Sequence, residues 1–132
     1  MILAAALLAL SASADLEELD RAMARCERTA VNPLFAAEAQ RRSDFLTAAL
    51  KEQEAIASER LAVADRRRAL REAAARNGVA DSEQQLNLIG LALEDRQRAL
   101  NDRRTVESMR SEAMDAKRNF YLSHCAPSKD PK

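Results

Sequence analysis

The sequence predicts an all-α protein. The expected fold is a long antiparallel two-helix hairpin, coiled-coil-like, with a short N-terminal amphipathic helix packed at the open end. Three observations predict it. Only two glycines and three prolines interrupt 132 residues. Ala, Leu, Arg and Glu dominate, as in long helices. Larger apolar residues recur every seven positions in two stretches that meet at Asn77-Gly78-Val79-Ala80-Asp81-Ser82.

That central stretch carries stop and start signals together. Gly78 can enter the left-handed region that closes a helix, with Asn77 before it. Ser82 with Gln85, or Asp81 with Gln84, offers a capping box for the next helix. Arg66, Arg67, Arg68, Arg71 and Arg76 crowd the end of the first arm, and Asp81 and Glu83 open the second, each sign suited to its helix dipole.

Residues 1–14 read as an export signal. Ile2–Leu10 is an apolar run, and Ala12-Ser13-Ala14 is a small-x-small cleavage site. The run is far too short to span a bilayer as a helix. One domain is expected over residues 15–125, with helices at about 15–31, 33–76 and 82–123. In the first, Leu16, Leu19, Met23, Cys26 and Ala30 share a face. Asn32-Pro33 should end it, because the residue before proline is pushed out of the helical region. The same pair suits the start of the second helix, with Asn as N-cap and Pro at the first helical position.

Phe35, Ala49, Ile56, Val63 and Leu70 form the second helix's seam. Leu86, Leu93, Leu100, Met114 and Tyr121 form the third's, with Glu107 in the remaining place. Beside this seam runs a cationic column, Arg96, Arg103, Arg110 and Lys117. Gly90 inside the third helix costs about 1 kcal/mol against Ala and suggests the close approach of another helix. If the hairpin turns near residue 80, all four aromatics (Phe35, Phe45, Phe120 and Tyr121) gather at the open end. Glu52 then faces Arg110, and Glu59 faces Arg103. Residues 126–132 are polar and proline-broken, and are expected to be a disordered tail.

Cys26 and Cys125 are the two cysteines, and in an exported chain they are expected to form a disulfide. Both fall at the open end if the chain bends at Asn32-Pro33. They form no CxxC redox motif. His124 is the single histidine. No further ligands stand at recognisable spacing, so no metal site is expected. The chain has no Gly-rich phosphate loop, nucleophile elbow or HExxH, and a two-helix hairpin offers little concave space. No enzyme activity, cofactor or small-molecule substrate is therefore expected. Lys+Arg and Asp+Glu balance at 21 each, so no global field draws nucleic acid. Arg66, Arg67, Arg68 and Arg71 are the candidate anion-binding residues, at the hairpin tip.

These readings point to a non-enzymatic helical protein, periplasmic or secreted, that acts by contact with a protein partner or by self-association. In architecture alone the outline resembles small periplasmic helical proteins that serve as chaperones or envelope accessories. That resemblance implies a chaperone-like or envelope-accessory role. The alternative is a binder of anionic lipid or another polyanion at the envelope surface, through the basic tip.

Overall fold

A computed structural model describes residues 16–77 and 83–125. The expected signal at 1–14, most of the central turn and the tail lie outside the described residues. Helix α1 covers 16–24, α2 Arg28–Asn77 and α3 Glu83–His124. The two long helices pack against each other. They contribute to two compact units, one built from 16–43 and 109–125 and the other from 44–77 and 83–108.

The end of α1 departs from expectation. The break falls at Cys26, not at Asn32-Pro33. Cys26 has φ 53°, the left-handed conformation usually left to glycine. Its N–H donates to the Met23 carbonyl at 3.1 Å, and the Glu27 N–H reaches back to Ala22 at 3.1 Å. These are the paired bonds of a Schellman motif, with Cys26 in the glycine's place. The Glu27 carbonyl then accepts from Val31 at 2.9 Å and opens α2.

Pro33 therefore lies inside α2. Thr29 and Pro33 are both exposed, so water can serve the Thr29 carbonyl that proline leaves without its usual donor. Continuing the helix through Pro33 keeps Val31, Leu34 and Phe35 on one side, where they share a cluster. That burial offsets the local cost.

In the first unit, Leu19, Ala22 and Met23 of α1 meet Val31 of α2 and Met114 and Tyr121 of α3 in one buried cluster. Leu16, Phe35 and Cys125 pack against its edge. The Phe35 and Tyr121 rings lie 6.3 Å apart, and the Arg118 guanidinium sits 5.1 Å over Phe35. Phe120 is exposed and stacks on His124.

In the second unit the core is two separate clusters. Ala49, Ile56 and Leu100 form one, with Phe45 against it. Phe45 is thus not among the gathered aromatics, contrary to expectation. Val63, Leu86 and Leu93 form the other, with Leu70 alongside. Every apolar residue of the expected α3 seam is buried, and Glu107 in the same column is only 9% exposed. No buried side-chain nitrogen or oxygen among the described residues lacks a hydrogen-bond partner.

Gly90 does not mark a close backbone approach. A Cβ there would meet only the Arg67 Nη2 atom, at 3.5 Å, which is ordinary contact with a flexible side chain.

Candidate functional site

Three features could carry function: the ionic pairs beside the seam, the basic stretch of α2, and the group around the two cysteines.

The cationic column of α3 is engaged, but with other acids than expected. In the first unit Arg110 donates to both oxygens of Glu38, at 2.7 and 2.8 Å, and Arg41 also bonds that carboxylate. Burial works against the charged form of Glu38. The hydrogen bonds from Arg110 and Arg41, with their positive charges, overcome it and hold the carboxyl at about 2 against an ordinary 4.5. Lys117 pairs with Asp20 of α1.

In the second unit Arg96 bonds Glu52 at 2.9 Å and Glu59 at 2.6 Å. The hydrogen bond from Arg96 lowers the Glu52 carboxyl, and the Arg96 guanidinium is raised in return. Arg103 acts on Glu52 through its charge. The expected pairs Glu52–Arg110 and Glu59–Arg103 are therefore replaced. Glu52 meets the arginine two heptads nearer the start of α3, and Glu59 the one a single heptad nearer. The expected columns meet, at a shifted register. These pairs tie one helix to another within each unit.

Beside them Gln53 and Gln97 exchange two hydrogen bonds, at 2.9 and 3.1 Å. Arg104 donates to Gln53, and Gln97 to Asn101.

The candidate anion-binding residues are only partly brought together. Arg67, Arg68 and Arg71 line one shallow groove of about 590 Å³ with Ala64, Glu72 and Ala75. Arg66 is exposed and does not line it. Arg67 also donates to Asn87 at 3.2 Å, and Arg68 stands 3.8 Å from Asp65. A second groove of about 640 Å³ is lined by Arg60, Val63, Arg67, Gly90, Leu91 and Glu94, among others. Both are open and of mixed charge. No helix among the described residues is long and apolar enough to cross a membrane.

Cys26 and Cys125 are joined by a disulfide, with Cα atoms 5.5 Å apart and a sequence separation of 99. The Schellman turn positions Cys26. The α3 terminus positions Cys125, whose N–H donates to the Tyr121 carbonyl at 2.9 Å. His124, for which the sequence offers no further ligands at recognisable spacing, lies close to both sulfurs. One of its ring nitrogens and the two sulfurs lie within 4.8 Å of one another. No spacing rule signals this group, because one member arrives from the far end of the chain.

Comparison with protein-family models, with curated proteins and with solved structures finds no match for this chain.

Proposed function

We propose that this is a non-enzymatic, exported helical protein, an antiparallel hairpin that works by helix-mediated contact with a second copy of itself or with another protein. One observation carries the reading. In the second unit, large apolar side chains remain outside both buried clusters. On α2, Leu46, Leu50 and Leu61 are exposed, and the exposed Ala57 and Ala64 continue the same side at helical spacing. On α3, Leu88, Leu91 and Val106 are exposed as well. A two-helix packing buries one stripe per helix, and a second apolar stripe gains only from a further helix.

Light scattering across a concentration series tests this. A mass above the 14.6 kDa chain that returns to monomer in the Leu46→Gln, Leu50→Gln, Leu61→Gln variant, at unchanged helicity, supports self-association. A monomer at every concentration that also leaves aggregation of an unfolded client protein unaffected would remove both the self-association and the chaperone-like forms.

A second reading, contact with anionic headgroups, draws on the groove that Arg67, Arg68 and Arg71 share. It predicts pelleting with anionic but not neutral vesicles, lost when these three are replaced by Gln.

A further inference from the structure

The disulfide and His124 form a group whose chemistry changes with oxidation state. Oxidised, the two sulfurs spend their bonding capacity on each other. Reduced, they become two thiol ligands beside an imidazole. We propose that reduction of Cys26–Cys125 opens a Cys2His site for one soft, d10-type metal ion, of which Zn²⁺ is the probe.

Geometry comes first. Ligand atoms of Cys26, His124 and Cys125 already lie within 4.8 Å of one another. Around zinc, sulfur ligands stand about 2.3 Å and imidazole nitrogen about 2.0–2.1 Å from the ion. The imidazole nitrogen thus needs only to close in by a small distance, while the two sulfurs, bonded to each other in the bridge, separate to admit the ion.

The frame that presents them does not depend on the bridge alone. Cys26 is fixed by the backbone bonds of its Schellman turn, and Cys125 by its N–H to Tyr121. Met23 and Tyr121 are members of the buried cluster, and Cys125 packs against it. The His124 ring is stacked on Phe120 at 5.1 Å and 12°, which limits its swing. Access is open, since Cys26 and His124 are exposed and Cys125 is half-buried.

The donor set selects the ion. Two thiolates with an imidazole suit zinc or monovalent copper and disfavour magnesium and calcium, which take oxygen ligands. Three protein ligands leave a tetrahedral ion one position for water or a fourth ligand. The balance is complete with a phosphine or dithiol as reductant. Two electrons and two protons convert the disulfide to two thiols. Zn²⁺ then replaces those two protons and takes the lone pair of one His124 nitrogen. A small-molecule disulfide that accepts the two electrons, and is itself cleaved to two thiols, forms the S–S bond again and releases the ion.

The test uses the full chain, reduced under argon, freed of reductant and titrated with Co²⁺ and then Zn²⁺. The reduced protein should take up one Co²⁺ with thiolate-to-cobalt charge-transfer bands, which Zn²⁺ displaces. The oxidised protein should show neither. His124→Ala keeps both thiols and should weaken uptake at least about tenfold, since even outer-shell changes around a metal cost 10–100-fold. Magnetic or chemical-shift perturbation of His124 in the cobalt form gives a readout independent of affinity. Reduced protein without charge-transfer bands overturns the proposal. So does a His124→Ala variant that binds as tightly as the parent, and so does a reduced chain that loses its helical signal, because the frame is then the bridge itself.

Discussion

The unit built from 16–43 and 109–125 and the unit built from 44–77 and 83–108 use the same two long helices differently. The first adds α1, and three helices enclose one cluster with a disulfide and a ring pair at its margin. The second has two helices, two small clusters, and polar side chains bonded alongside. A pair of helices encloses nothing. It buries a stripe, and the flanks must be finished by hydrogen bonds and ion pairs, or by something outside the chain. The short helix and the bridge are what turn a stripe into a core.

Removing the bridge should have the largest effect. It closes a loop of 99 positions, which the chain-entropy model values at up to about 4.7 kcal/mol. Cys26→Ala with Cys125→Ala should lower the denaturation midpoint accordingly. Amide exchange should rise first in 16–24 and 109–125. An equal rise throughout 44–108 would break the distinction between the units.

Core and flank of the second unit come next. Ile56 is 0% exposed and Leu50 is 57% exposed. Ile56→Ala should cost about 2–5 kcal/mol, and Leu50→Ala within about 0.5 kcal/mol. Matched melting shifts would show that the stripe is drawn in the wrong place.

Gly90→Ala sharpens the picture in the other direction. The added Cβ meets only ordinary contact, so the variant should gain up to about 1 kcal/mol of helix stability. A loss in thermal melts would mean that Gly90 serves a contact made with another molecule.

A similarly small effect, but one that depends on pH, belongs to Glu38. Its folded carboxyl is held at about 2, below the ordinary 4.5. Its ion pairs therefore contribute fully above pH 4.5, and the contribution fades as pH falls from there through 2. With solvent screening it should amount to no more than about 1 kcal/mol. Urea melts of Glu38→Gln should fall below the parent at pH 7 and converge with it near pH 2; a constant gap would assign the effect to packing.

The seven-residue columns were legible because burial repeats with the helix. Leu86, Leu93 and Leu100 are buried in the second unit as their spacing requires, and Ile56 and Val63 likewise. The axial register was not legible. A repeat of seven looks the same after a slide of seven, so Arg96, Arg103 and Arg110 were interchangeable partners for Glu52. The end of α1 was hidden for another reason. The left-handed residue there is a cysteine, which carries no turn signature, while Pro33 carries a strong one that burial of Val31 overrides. The approach of His124 to Cys26 was out of reach because it follows from the fold's closure, not from any local spacing.

The glutamine pair supplies what the repeat lacks. Gln53 and Gln97 satisfy each other's amide in both directions, and this works at one offset only. One heptad away along α2 the positions are Leu46 and Arg60, so a slipped pairing would set the Gln97 amide against a hydrocarbon or against a group that donates only, and the return bond from its N–H₂ is lost in either case. A greasy stripe tolerates such slips, whereas a two-way amide exchange penalises each of them. Gln53 and Gln97 therefore act as the alignment notch of a repeating rail, weak as a fastener and decisive as a gauge.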